Sequence, residues 1–214
     1  MLRKLLFGCA LVLLPQISFA DYLQGMNALD RKDYATALRE LRAAAEHGDG
    51  NAQVSLGLMY YNGRGVPTNY VEAMRWFKKA ALRGDADALV ILGEMYRNGN
   101  GVPESYAEAA RWYQKAAEQG HPRAQGLLAA GYATGKGIPR NYVLAYKWAS
   151  LAAASGDELA RNLMDSLEQQ MSNEDIADAQ RLAAGFKPRG RCWSNDGMPV
   201  RTLLECSWAA PRSN

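Results

Sequence analysis

Histidine and cysteine are the side chains most often used for metal and nucleophilic chemistry, and this chain of 214 residues holds two of the first and three of the second. His47 and His121 each stand beside a glycine, Gly48 and Gly120. A metal site needs three or four convergent ligands, and neither histidine has such partners close in sequence. Both read as residues at helix ends, where imidazole meets free backbone groups. No metal and no cofactor is expected. Glycine pairs such as Gly63-Arg64-Gly65 look like fragments of a phosphate-binding fingerprint, but the third glycine and the preceding strand are missing. The hydrolase patterns G-x-S-x-G, S-x-x-K and H-E-x-x-H do not occur. No catalytic residue is assigned, and the chain is not expected to be an enzyme.

Charge narrows the partner. Lys and Arg number 25 and Asp and Glu 22, a formal charge of +3. Loss of residues 1–20 would remove Arg3 and Lys4 and no acid, which leaves +1. Neither a nucleic-acid binder nor an acidic disordered region fits that balance. The start of the chain reads as an address. Arg3 and Lys4 precede an apolar run from Leu5 to Leu14, Pro15 breaks it, and Ser18-Phe19-Ala20 offers small residues for cleavage after Ala20. Ten residues rise only ~15 Å as a helix, about half a bilayer core. The pattern predicts a cleaved signal over 1–20, a periplasmic or secreted chain, and no membrane insertion afterwards.

The elements that must position any site follow from a period of 36. Leu56-Gly57-Leu58-Met59-Tyr60 returns as Leu92-Gly93-Glu94-Met95-Tyr96, and Leu128, Ala129 and Tyr132 hold the same places again. Gly63, Gly65, Val66 and Pro67 recur as Gly99, Gly101, Val102 and Pro103, then as Gly135, Gly137, Ile138 and Pro139. Trp76, Trp112 and Trp148 keep the same step. Residues 51–86, 87–122 and 123–158 are three full units, and 21–50 is a degenerate first one. Within a unit Ala52, Leu56 and Tyr60 share one helical face, and Tyr70, Ala73, Phe77 and Ala80 share another. The glycine pair between them turns the chain. Gly57, Gly93 and Ala129 are small where paired helices should touch. One hairpin cannot bury such a stripe, whereas stacked hairpins can. The fold class is all-α, an α-solenoid of helical hairpins. The repeated Tyr60, Tyr96 and Tyr132 and the three tryptophans suit core packing better than a sugar-binding row.

These units, with their G-x-G-V-P connection, resemble the Sel1-like repeat family, a relative of the tetratricopeptide repeats. The likeness is strong over 51–158 and weak over 34–50. It implies a right-handed superhelix with a concave binding surface, and the role of an adaptor, in bacteria often in the envelope. The family has no common catalytic residue. A cysteine-rich branch linked with β-lactam binding has cysteine pairs inside its repeats, which this chain lacks.

Residues 159–184 read as C-terminal capping helices, the second with an N-cap at Ser172 and an end near Gly185. Residues 185–214 form a basic tail, with five cations against Asp196 and Glu205. The tail holds Cys192 and Cys206, with Trp193 and Trp208 beside them. In an oxidising compartment one disulfide, Cys192–Cys206, is the simplest outcome. The variable stripe of each first helix remains for binding: Leu58, Tyr61 and Asn62, then Glu94, Arg97 and Asn98, then Arg123, Ala130 and Thr134. Mixed charges, amides and an aromatic suit a protein or peptide. The reading is a non-enzymatic, monomeric interaction scaffold. The alternatives are an envelope hydrolase or β-lactam-binding protein, and recognition of peptidoglycan or another glycan.

Overall fold

The computed structural model describes residues 14–189, with side chains from residue 21 onward. Among the described residues there are ten helices and no strand. They are α1 (Leu14–Asp30), α2 (Tyr34–Glu46), α3 (Gly50–Asn62), α4 (Tyr70–Leu82), α5 (Ala86–Asn98), α6 (Tyr106–Glu118), α7 (Pro122–Thr134), α8 (Tyr142–Ala154), α9 (Glu158–Glu168) and α10 (Asn173–Ala184). The helices α2 to α8 have 13 residues each. Seven-residue turns such as 63–69 alternate with three-residue turns such as 83–85, and two helices plus both turns make the period of 36. Cys192 and Cys206 lie outside the described residues, as do Trp193 and Trp208.

Two compact units meet at Thr68 and Asn69. In the first, α1 pairs with α2 and α2 with α3. Here α1 begins at Leu14, inside the stretch read as a signal over 1–20. Pro15 falls in its first turn, where a missing N–H leaves no bond unmade, so the residues around the expected cleavage point after Ala20 are helical. The short turn after α1 lacks the glycine pair, and Lys32 takes the left-handed conformation instead (φ 60°). In the second unit each helix from α4 to α9 packs on the next, and α10 lies against α8. Each unit is a stretch of α-solenoid.

Capping explains where the helices start. First helices begin after Asp49, Asp85, His121 and Asp157, one period apart, each side chain accepting from the backbone N–H three residues on. Second helices begin after Asp33, Asn69, Ser105 and Asn141 in the same way. Glycine ends the first helices of the three full repeats, α3, α5 and α7: Gly99, at φ 70°, closes α5. Gly101 (φ 75°) then lies directly against Tyr70 at the start of α4, so close that a Cβ would sit 2.7 Å from the Tyr70 Cβ.

The core is rich in alanine. Ala73, Ala80, Ala88, Ala109, Ala116, Ala124, Ala129, Ala145 and Ala152 are all buried. Small side chains bring helix backbones close, and larger ones key into the gaps. The clearest case is Gly93, where a Cβ would meet Cε1 of Tyr113 at 2.4 Å. Gly93 is therefore a packing contact between α5 and α6, as its size suggests. Buried polar groups also join neighbours: Gln125 donates through Nε2 to the Ala117 carbonyl at 3.4 Å, near the end of α6.

The segment after α10 turns back over the second unit. Phe186 meets Trp148 edge to face at 5.4 Å, and the Arg189 N–H donates to the Glu118 carbonyl at 2.7 Å.

Candidate interaction surface

Most residues of α5 are spent on the core. On α5, Ala86, Ala88, Leu89, Val90, Leu92, Gly93 and Met95 are buried. Glu94, Arg97 and Asn98 are left at least partly accessible, and Arg123 is exposed on α7. The structure brings two of these together across one period: the Arg123 guanidinium donates through Nη2 to Glu94 Oε1 in an ion pair. Arg97 donates through Nε to its neighbour Asn98 Oδ1 at 3.3 Å. Among the described residues Arg97 forms no ion pair. In the first unit Leu58, Tyr61 and Asn62 share α3, with Leu58 and Asn62 exposed and Tyr61 half-buried.

Beside Arg97 lies a groove of about 300 Å³ between α5, α6 and α7. Leu127, Ala109, Ala110 and Ala130 give it an apolar floor, and Arg97, Thr134 and Lys136 stand among its walls. Tyr113 also lines it, 5% exposed, and its hydroxyl has no hydrogen-bond partner. Burial pushes the Tyr113 phenol up to about 12, against the weaker downward pull of Arg97. It remains a neutral donor throughout the physiological range. The stripe residues could be picked out by period. The groove could not, because it comes from side chains that are small or absent, and Tyr113 sits in the core stripe.

The histidines are structural. His47 closes α2, with Nδ1 bonded to the Ala43 carbonyl at 2.7 Å. His121 is not at a helix C-terminus but is the N-cap of α7, in the place where the other first helices use aspartate. Its Nδ1 accepts from the Ala124 N–H at 3.3 Å, which leaves Nε2 to donate to Asp87 Oδ1 at 3.0 Å. That hydrogen bond holds the Asp87 carboxyl below the usual carboxylate range. No group of three His, Cys, Asp or Glu side chains able to hold a metal occurs among the described residues. Nor is any described helix long and apolar enough to cross a membrane.

The Sel1 repeat family matches residues 50–85, 86–121 and 122–157, one residue ahead of the units read from the sequence. The chain belongs to the Sel1 repeat family. Among solved structures of the same kind, a protective antigen of uropathogenic Escherichia coli that displays an SLR fold is 26% identical, with a TM-score of 0.70. The match covers 92% of this chain and 42% of the antigen, so the chain spans less than half of that protein. A Sel1 repeat protein from Oxalobacter formigenes is 39% identical over 60% of this chain and 97% of its own, with a TM-score of 0.57. No curated protein matches. Sel1 repeat proteins are generally non-enzymatic scaffolds for protein–protein interaction.

In this Sel1 chain the repeated tryptophans serve packing. Trp76 and Trp148 are buried and Trp112 is half-buried. Each carries a lysine ammonium over its ring, Lys79 at 4.1 Å, Lys115 at 4.4 Å and Lys147 at 4.1 Å. A ring face so covered is closed to a sugar.

Proposed function

We propose that this chain is a non-enzymatic interaction scaffold, exported to the periplasm or secreted as a monomer, that holds a protein or peptide partner on the accessible stripe of its first helices. The observation that carries the reading is the division of labour on α5 and α7. Their buried faces largely repeat with the period, whereas Glu94, Arg97 and Arg123 differ from their equivalents in the neighbouring units and reach solvent beside Asn98. Leu58, Tyr61 and Asn62 play the same part on α3. A surface of both charges, amides and one aromatic suits a polypeptide better than a polyanion. The lysine-covered tryptophans weigh against the glycan alternative. The tail is read as stapled by Cys192–Cys206, in keeping with export.

Cross-linking in the native envelope followed by mass spectrometry identifies the partner. Arg97→Glu and Tyr61→Ala should each weaken its binding at unchanged helix content. Normal binding by both variants would refute this surface.

A further inference from the structure

The groove beside Arg97 exists because the third repeat departs from the first two. Met59 and Met95 occupy one repeat position and are buried; the next period places Gly131 there, on the groove wall. Leu58 and Glu94 give way in the same manner to Ala130. A methionine side chain and a carboxylate are thereby missing from one spot; Ile138, where the earlier repeats have Val66 and Val102, comes within 3.4 Å of where a Gly131 Cβ would sit, and the remaining space lies over an apolar floor. On the facing helix the corresponding series is Phe77, Tyr113 and Ala149. Phe77 is fully buried, so an unsubstituted ring satisfies the packing at this position. The Tyr113 hydroxyl is thus an addition that packing does not require. It is buried without a partner, and leaving such a donor unpaired is unfavourable. Buried polar atoms of this kind ask for a partner from outside the chain.

The surrounding charges say which partner. Arg97 and Lys136 both line the groove, and neither forms an ion pair among the described residues. Lys136 stands 5.6 Å from the Tyr106 ring centroid, over the groove's edge. The Glu94 carboxylate near Tyr113 is already paired with Arg123. Two cations and a phenol donor around an apolar floor call for an acceptor that is anionic and has an apolar neighbour. About 300 Å³ is the small end of ligand-sized clefts, room for a side chain or two rather than for a folded surface.

We infer that this groove binds an acidic side chain, Asp or Glu, next to an aliphatic residue in an extended segment of a partner protein. The carboxylate accepts from the Tyr113 hydroxyl and faces Arg97 and Lys136, while the aliphatic residue lies on Leu127 and Ala130. The inference rests on the scaffold reading above and names the chemistry of its ligand.

The test is a selection of random dodecapeptides, displayed on phage, against the full purified chain, with parallel selection on Gly131→Met. That variant restores the residue present at the two equivalent positions, so it should fold and fill the groove. Sequences carrying Asp or Glu beside Leu, Ile or Val should be enriched on the natural chain and not on the variant. A synthetic peptide of that sequence should bind Tyr113→Phe at least tenfold more weakly, the scale of a hydrogen bond to a charged group. Replacing its acid by the amide should weaken binding to the natural chain, and weaken it less in Tyr113→Phe, where Arg97 and Lys136 alone still face the acid. Tyr113→Phe should melt no lower than the natural chain, since Phe77 shows that the ring alone packs. Enriched peptides without acids, or peptides indifferent to both variants, would overturn the groove inference. If those peptides instead lose affinity with Tyr61→Ala or Arg123→Glu, the scaffold reading stands while the groove falls.

Discussion

Replacing Gly101 by alanine should destabilise the second unit more than its unfavourable backbone angle alone explains. The residue adopts φ 75°, and an alanine there meets two separate obstacles. The left-handed conformation disfavours any L-residue by about 1–2 kcal/mol. The added Cβ would also sit 2.7 Å from the Tyr70 Cβ and 3.0 Å from its carbonyl carbon, so a helix start must move, at about 1–3 kcal/mol for overpacking. Gly84 is the control. Its φ is 84°, yet nothing lies within 4 Å of its would-be Cβ, so Gly84→Ala meets the first obstacle only. Alanine's smaller unfolded-state entropy helps both variants alike and cancels in the difference. Gly137 extends the series: there the atoms in the way are the Tyr106 carbonyl oxygen and carbon at 2.2 and 2.3 Å, and backbone cannot rotate aside. The expected loss of stability rises from Gly84 to Gly101 to Gly137. Urea unfolding followed by far-UV circular dichroism reads it. With a slope of about 2 kcal/mol per molar, Gly101→Ala should fall roughly 0.5–1.5 M below Gly84→Ala. All three glycines belong to the same compact unit, so their midpoints are compared on the transition in which that unit unfolds as a whole. Equal midpoints for Gly84→Ala and Gly101→Ala would refute the close approach between turn and helix.

Other outcomes follow from single contacts. Tyr146 is buried and its hydroxyl donates to Glu168 Oε1 at 2.6 Å, so Tyr146→Phe should destabilise by about 1.5–3 kcal/mol in chemical unfolding, and no loss would mean the bond is absent in solution. Asp87 is held below the ordinary carboxylate range first by its hydrogen bond from His121. A group with a lowered folded pKa adds stability above its unfolded value of about 3.9 and loses it as pH falls through the folded one. Unfolding midpoints measured from pH 6 down to 3 should therefore drop less steeply for Asp87→Asn than for the natural chain, and parallel curves would remove that bond from the account. For the tail, non-reducing mass spectrometry of envelope material should show Cys192 joined to Cys206; two free thiols would exclude the staple, which loop entropy values at roughly 3 kcal/mol.

Periodicity made the architecture legible because every unit solves one packing problem with the same spacing. Thirteen-residue helices and turns of seven and three residues leave the tyrosines, tryptophans and glycines in fixed places. The caps were equally periodic and were overlooked. Asp49, Asp85 and Asp157 form a plain series, but His121 interrupts it, and a histidine beside Gly120 looks like the end of one helix rather than the start of the next. The Glu94–Arg123 pair escaped for a different reason. It joins residues in non-corresponding positions of two units, and only the packing of α5 against its neighbours brings them within reach.

Where the repeats agree, the reason is found in the core; where they differ, the difference is the better guide to function. A solenoid holds each unit by the same contacts, so a departure from the shared pattern needs a local explanation. His121 has one, since it caps α7 as aspartate would and also ties α7 to Asp87 on α5. Phe186 supplies another, covering the edge of Trp148 beyond the last full repeat. Gly131 has part of one, since Ile138 replaces Val66 and Val102 of the earlier repeats and reaches to 3.4 Å from its would-be Cβ; Ala130 and the Tyr113 hydroxyl have none among the described residues. Glycine gives up the burial that Met59 and Met95 contribute, alanine gives up the charge of Glu94, and tyrosine adds a hydroxyl that finds no partner. Each change is unfavourable or neutral for packing, and all three open onto one groove. Departures that gather at one place are what a binding site requires: space, a donor held in position, and cations left without carboxylates of their own.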